Sequence, residues 1–270
     1  MAGQESHYDY VPSLAAAVIF VVVFALLSLY HLYLLVEKRV WFCVPLLVGG
    51  VFEVVGFTGR AVGHSDGTSL PPYILQALLI LLAPILFAAS TYMLLGRIMR
   101  QTGAESYSVI RVNWLTKVFV VGDIFCFLAQ ALGGGMLAGA DTAEDSSRGE
   151  KVILFGLVLQ IVIFGGFLVV ALLFHQRLRR KPTDLAVSGG VPWQRLMVTM
   201  YGVSGFITLR NLFRVIEYAL GDDGYLLTNE WPIYILDALP MAAVLGITVF
   251  WYQCDIGKAN SGISLQRVSV

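Results

Sequence analysis

The sequence predicts an all-α, polytopic membrane protein of seven transmembrane helices, and three observations carry that expectation. Of 270 residues, 57% are hydrophobic and only 13% charged, too apolar for an ordinary soluble domain. The apolar residues gather in runs near or beyond the ~18–20 needed to cross the hydrocarbon core of a bilayer. Basic residues concentrate in alternate connections between those runs, the asymmetry that orients membrane proteins.

The runs are, in order, 12–36, 41–62, 72–98, 113–139, 151–176, 194–220 and 232–254. Lys38 and Arg39 follow the first, and Arg97, Arg100, Arg111 and Lys117 flank the connection from third to fourth. Arg177, Arg179, Arg180, Lys181 and Arg195 flank the connection from fifth to sixth, and Lys258 and Arg267 follow the seventh. The other connections hold Arg148 and Lys151 against Asp66, Asp141, Glu144, Asp145, Glu150, Asp222 and Asp223. The C-terminus is therefore expected in the cytoplasm and the N-terminus outside. This gives an extracellular segment 1–11, a membrane domain 12–254 and a cytoplasmic tail 255–270. No basic stretch precedes the long first run, so a cleaved signal peptide is not expected. Cys43, Cys126 and Cys254 lie within or beside runs, which does not suit an extracellular disulfide framework.

Residues 52–78 align without a gap on 213–239. Identities include Phe52/Phe213, Val54/Val215, Gly63/Gly224, Pro71/Pro232 and Ala77/Ala238, and Tyr73-Ile74-Leu75 returns as Tyr234-Ile235-Leu236. The second and third runs would then match the sixth and seventh in direction. The organisation expected is two parallel three-helix units joined by a fourth helix, a 3+1+3 pseudo-repeat of a kind found among transporters. Within the alignment Glu53 matches Arg214, Gln76 matches Asp237 and Gly56 matches Glu217. Related halves bring such positions toward a common axis, so Glu53 is expected opposite the Arg210/Arg214 face.

Polar residues inside the runs keep helical spacing. Arg210, Arg214 and Glu217 fall at i, i+4 and i+7, as do Glu230, Tyr234 and Asp237; Glu53 and Arg60 are seven apart, as are Asp123 and Gln130; Gln76 and Gln160 add amides. In a bilayer such faces turn to the bundle interior or to a wet cavity. These twelve residues are the expected substrate-binding set, lining a polar chamber open toward the outer leaflet. The alternative for each residue is an ion pair that merely locks helices together. Five carboxyls oppose three arginines in the set, an acidic surplus that suits an amine-bearing amphiphile or, if protonatable, proton coupling. Asp237 has no obvious partner on its own helix and is expected to be available to a head group.

Other chemistries find little support. The four histidines, His7, His31, His64 and His175, do not converge at one depth as an intramembrane metal site requires. A lone helical histidine is more often packed than a haem ligand. The last run lacks the lysine that a retinal protein needs. Gly133-Gly134-Gly135 forms no phosphate loop and reads as a close-packing or flexible segment. The run 177–181 is a positive-inside anchor. No catalytic residue, metal or cofactor is expected, and no nucleic-acid partner; the expected partners are the bilayer and a lipid or other amphiphile.

From about residue 30 to 250 the chain resembles the fungal lipid-translocating exporters, the RTA-like ("resistance to aminocholesterol") seven-span proteins. The resemblance rests on Glu53-x-x-Gly56-Phe57-x-x-Arg60, Leu82-Ala83-Pro84 with Ala88-Ala89 and Tyr92, and Asp123 with Gln130 and Gly133-Gly134. It continues through Gly156, Gln160, Arg210, Phe213-Arg214-Val215-Ile216-Glu217, Gly221, Glu230, Tyr234 and Asp237. The usual His-Pro near the end of the last run is replaced by Trp251-Tyr252. The resemblance implies a fungal protein, often of the plasma membrane, linked to release of sphingoid bases, to resistance against toxic sterol-like amphiphiles and, in some relatives, to porphyrin movement. With no nucleotide-binding motif, transport would be passive, proton-coupled or secondary. The competing expectation is a seven-span receptor that senses an amphiphile and signals through its basic cytoplasmic face; an intramembrane lipid enzyme is disfavoured by the histidine placement.

Overall fold

The computed structural model describes residues 13–64, 70–139, 142–188, 192–220 and 230–252. The N-terminal segment 1–11, the tail 255–270, Cys254 and the polar loops of the repeat at 65–69 and 221–229 lie outside the described residues. Helix α1 (Leu14–Lys38) starts at Ser13, whose hydroxyl accepts the Ala16 N–H, and stops at Arg39, whose left-handed φ of 55° lets its N–H close on the Leu35 carbonyl. A 3₁₀ turn leads into α2 (Val44–Gly63), which carries Pro45 in its first turn, where a missing N–H does no harm. Helices α3 (Leu70–Gln101) and α4 (Val112–Ala138) follow.

Helix α5 (Ala143–Arg180) has 38 residues. At 1.5 Å per residue that is about 57 Å, nearly twice the ~30 Å hydrocarbon thickness. It is longer at both ends than the apolar run 151–176. Thr142 caps the Asp145 N–H, Glu144 and Asp145 occupy the first turn, and Arg177, Arg179 and Arg180 the last. These charges complement the helix dipole, so polar sequence on both sides of the run stays helical. After the short α6 (Asp184–Val187) comes α7 (Trp193–Ala219). The last span opens with a π-helical segment, Ile233–Ala238, continues as α8 (Leu239–Thr248) and ends in a 3₁₀ turn.

Among the described residues, six helices are long and apolar enough to cross a membrane: Leu14–Lys38, Trp41–Gly63, Leu75–Gln101, Val112–Leu137, Glu144–Arg180 and Ile233–Tyr252. Helix α7 has the length, 27 residues, but its Arg195, Arg210, Arg214 and Glu217 dilute its apolar character. It packs against α3, α5 and α8, while α1 lies on α2, α2 on α3 and α4 on α5. Large apolar side chains point outward along these helices, among them Ile19 and Leu26, Val121 and Leu132, and Val162 and Val169. That inversion of the soluble pattern is what a lipid surface requires.

Three close approaches at glycines hold two helix pairs together. A Cβ on Gly156 of α5 would lie 2.9 Å from the Cys126 carbonyl oxygen of α4, and one on Gly133 of α4 would lie 2.8 Å from the Gly149 carbonyl oxygen of α5. A Cβ on Gly56 would lie 2.6 Å from Ile80 Cγ1, so α2 meets α3 where only glycine fits. Small residues of this kind let membrane helices reach van der Waals contact. Gly133 is thus a close-packing residue, whereas Gly134 and Gly135 have open space around them. Aromatic rings fill the remaining core: Phe20, Phe24, Phe57 and Tyr234 stack between α1, α2 and the last span, and Tyr92, Phe119, Phe164 and Phe167 meet in tilted and edge-on contacts between α3, α4 and α5.

Candidate functional site

The centre of the polar set is Arg210, fully buried on α7. A buried guanidinium needs acceptors on several sides, and two come from different helices. Its Nε donates to Asp237 Oδ1 at 2.6 Å, and its Nη2 donates to the Ile80 carbonyl oxygen at 3.0 Å. The second contact has a local cause. Pro84 lies inside α3 and has no N–H, so the carbonyl four residues before it, that of Ile80, loses its helical donor. In hydrocarbon an unanswered carbonyl is expensive, and Arg210 answers it.

The last span supplies the other acceptor through a second proline. Pro240 cannot donate to the Leu236 carbonyl, and its ring crowds that turn. The preceding segment winds wider: the Leu239 N–H reaches back to the Tyr234 carbonyl, an i→i−5 bond, across the π segment Ile233–Ala238. π turns inside α-helices are frequent at functional sites. Asp237 sits within this one and accepts from both Arg210 and Arg214 Nη2. Arg214 Nη1 also donates to Glu217 Oε2 at 2.9 Å, three residues along α7.

A second group joins α2, the last span and the start of α1. Arg60 donates from Nε to Tyr234 Oη and from Nη2 to Glu230 Oε1, both at 3.1 Å. Tyr234 Oη donates to the same Glu230 oxygen at 2.8 Å. Glu230 also accepts the Ser13 N–H, one of the donors at the open end of α1. The third group is neutral in its amides: Gln130 Nε2 donates to Gln160 Oε1 at 2.9 Å between α4 and α5, and Tyr92 Oη donates to Asp123 Oδ2 at 2.7 Å between α3 and α4. Gln76 is buried on α3.

Two expectations are corrected by this geometry. Glu53 does not pair with Arg214: it is 1% exposed and neither carboxyl oxygen has a hydrogen-bond partner. Asp237 is not available without a partner, because the π turn carries it to both arginines. The aligned positions do come into one neighbourhood, with Glu53 in the electrostatic field of Asp237, Arg210 and Arg214. The winner of the competition for the guanidiniums is the carboxylate that the wider turn advances. Each of the three arginines is therefore matched, Arg60 with Glu230, and Arg210 and Arg214 with Asp237 and Glu217. The acidic surplus resides in Glu53 and Asp123.

Sequence reasoning missed the Ile80 carbonyl and the Ser13 amide, since backbone groups leave no residue signature of their own. Pro84 was the available signal for the first. The buried histidine His31 is packed: its ring nitrogens lie 2.9 Å from the Leu245 carbonyl oxygen and 3.2 Å from Tyr252 Oη. Tyr252, standing where the resemblance leads one to expect His-Pro, is thus part of the inter-helix packing. His175 lies 3.1 Å from Tyr201 Oη in the same manner. Cys43 and Cys126 are buried and free. Among the described residues no three His, Cys, Asp or Glu side chains cluster as a metal site would.

A helical bundle with an apolar exterior and arginine–carboxylate pairs sealed in its interior defines an integral membrane protein with a polar centre. The family model described as "RTA1 like protein" matches residues 46–259, and the chain belongs to that family. It is similar to Protein RTA1 of Saccharomyces cerevisiae, 33% identical over 87% of this chain and 80% of the relative. It is also similar to Protoporphyrin uptake protein 1 of the same yeast, 31% identical over 88% and 89%. Sphingoid long-chain base transporter RSB1, again of that yeast, is 25% identical over 89% and 72%. No solved structure matches the chain.

Proposed function

We propose that this protein is a seven-span membrane transporter that moves amphiphilic molecules between leaflets or out of the membrane. The observation that carries the reading is the Arg210 centre, where two proline-bearing spans, one of them π-wound, meet on buried, mixed-charge side chains. Spans that depart from regular helical winding, as the last one does here, are a common construction of transporter binding sites. Two relatives named for transport or uptake, one of a sphingoid long-chain base and one of protoporphyrin, support the same reading. Both named cargoes combine an extended apolar body with polar groups, which suits a site sealed by aromatic and aliphatic side chains around a few charges. The twelve polar residues are the proposed binding set, in a chamber that opens toward the outer leaflet, and the protein carries out no covalent chemistry.

In this reading α7 is the seventh span, the halves form a parallel 3+1+3 repeat, and the membrane is the plasma membrane with the C-terminus inside. A tag at the C-terminus is then reached only in permeabilised cells, while a tag within 141–148 is reached on intact cells. Both tags on one side would break the seven-span count and the repeat with it. Function is tested by reconstituting the purified protein in vesicles with a fluorescent long-chain base in one leaflet. Leaflet exchange above that of empty vesicles is expected. Ligand-dependent signalling without any exchange would favour a receptor instead.

A further inference from the structure

The run 177–181 carries Arg177, Arg179, Arg180 and Lys181, and the fold gathers three of these against the connection between α3 and α4. Arg177, Arg180 and Lys181 line one pocket of about 370 Å³ with Ser106 and Tyr107. No carboxylate among the described residues lies within ion-pairing distance of the three cations, although Glu105 and Asp184 are close by in the chain. The walls are tied down on both sides. Arg177 Nη1 donates to the Tyr107 carbonyl oxygen at 2.9 Å, which joins α5 to the 3₁₀ turn Glu105–Tyr107. Beyond Lys181 the Thr183 hydroxyl donates to the Thr102 carbonyl oxygen, and a Cβ on Gly103 would lie 3.0 Å from Leu185 Cδ1. Three like charges are thus held together by packing with no anion between them. Along α5, Val169, Leu173, Arg177 and Arg180 fall at i, i+4, i+8 and i+11, which is one helix face. Val169 and Leu173 are exposed in the apolar part of the helix, so this face passes from lipid-facing to cationic within a turn.

We propose that the pocket binds the head group of an anionic phospholipid that carries a phosphomonoester beside its phosphodiester, with the acyl chains along Val169 and Leu173. A phosphomonoester brings about −1.5 to −2 charges and the phosphodiester adds one more, which together answer the three cations. A phosphodiester alone leaves cations unanswered, and a phosphatidylserine head adds an ammonium that Arg180 and Lys181 repel. Guanidiniums suit phosphate because their fork of N–H groups donates in pairs, and basic pockets between membrane helices take such head groups. The site lies apart from the Arg210 centre and does not depend on the transporter reading.

The test is native mass spectrometry of the full chain in detergent, titrated with phosphatidylinositol 4-phosphate, phosphatidylinositol or phosphatidylserine of the same acyl chains. One molecule of the first is expected per chain, bound roughly 10-fold or more tighter than the other two, as charge-assisted hydrogen bonds allow. R180Q/K181Q should lose that preference, whereas R111Q/R195Q, which removes two exposed charges outside the pocket, should keep it. Equal affinity for the three lipids, or equal losses in the two double variants, would reduce the run to a positive-inside anchor and overturn the inference. Soluble inositol 1,4-bisphosphate separates a lipid from a free phosphate ester: it is expected to compete weakly, and competition at the lipid's own affinity would overturn the lipid assignment. The comparison of lipids on wild type needs no variant, so the inference can fail even if R180Q/K181Q does not fold.

Discussion

Helix α3 and the last span each contain a proline where a continuous helix would need an N–H, and they resolve the defect in opposite ways. Helix α3 stays α-helical through Pro84, and the stranded Ile80 carbonyl is answered from outside by Arg210. The last span answers Pro240 from within, by winding Ile233–Ala238 as a π segment. The first solution uses a side chain to repair a backbone. The second uses the backbone to aim a side chain, since it is the widened turn that advances Asp237 to Arg210 and Arg214. A single residue, Arg210, therefore bonds at both proline sites, and the polar centre is enclosed between helices rather than presented to lipid.

The largest expected effect tests the second solution. Asp237→Asn leaves two buried guanidiniums short of a carboxylate, so it should lower stability by about 3–5 kcal/mol, as broken buried pairs do. Thermal unfolding in detergent, together with the yield of monodisperse protein, reads this. Wild-type stability in Asp237→Asn would mean that the π turn is held by Pro240 alone and that Asp237 is free for other work.

The first solution depends on α2 keeping the Ile80 turn of α3 in place, and Gly56 is the α2 residue that meets Ile80. Gly56→Ala puts a methyl 2.6 Å from Ile80 Cγ1, and the overpacking should reduce stability by about 1–3 kcal/mol. Gly134→Ala, with open space around it, is the matched control and should change stability by less than about 1 kcal/mol. Equal effects at the two glycines would show that α2 does not bear on the Ile80 turn.

A smaller effect isolates the link between proline and arginine. Pro84→Ala gives Ile80 its helical donor back, so Arg210 no longer has to serve that carbonyl. Arg210→Lys, which cannot bond Asp237 and Ile80 at once in the same geometry, should be milder in the Pro84→Ala background. A coupling of about 1 kcal/mol is expected from the double-mutant cycle in unfolding free energy. Strict additivity would separate the two residues and remove the repair argument.

Much of this architecture was legible in the chain itself. Apolar runs of spanning length and the i, i+4, i+7 spacing of Arg210, Arg214 and Glu217 are local properties, and hydrocarbon leaves the backbone few alternatives to helix. The pairing of Arg214 with Glu217 followed from the same spacing. The longer reach of α5 was less legible, because the apolar run 151–176 ends before the caps and dipole-matched charges do.

Only the tertiary structure decided which carboxylate each arginine takes. From the sequence, Glu53 was the expected partner of the Arg210/Arg214 face and Asp237 the carboxyl available to a head group; the structure exchanges the two. The choice goes with the π turn before Pro240, which holds Asp237 against both arginines, and with the closeness of α2 to α3 that Gly56 permits. Ion pairs discriminate at that scale because a buried charge gains from a partner in contact and little from one a turn away. The residue types fixed that charges would meet inside the membrane; the packing of three helices fixed that Glu53 would be the one left over.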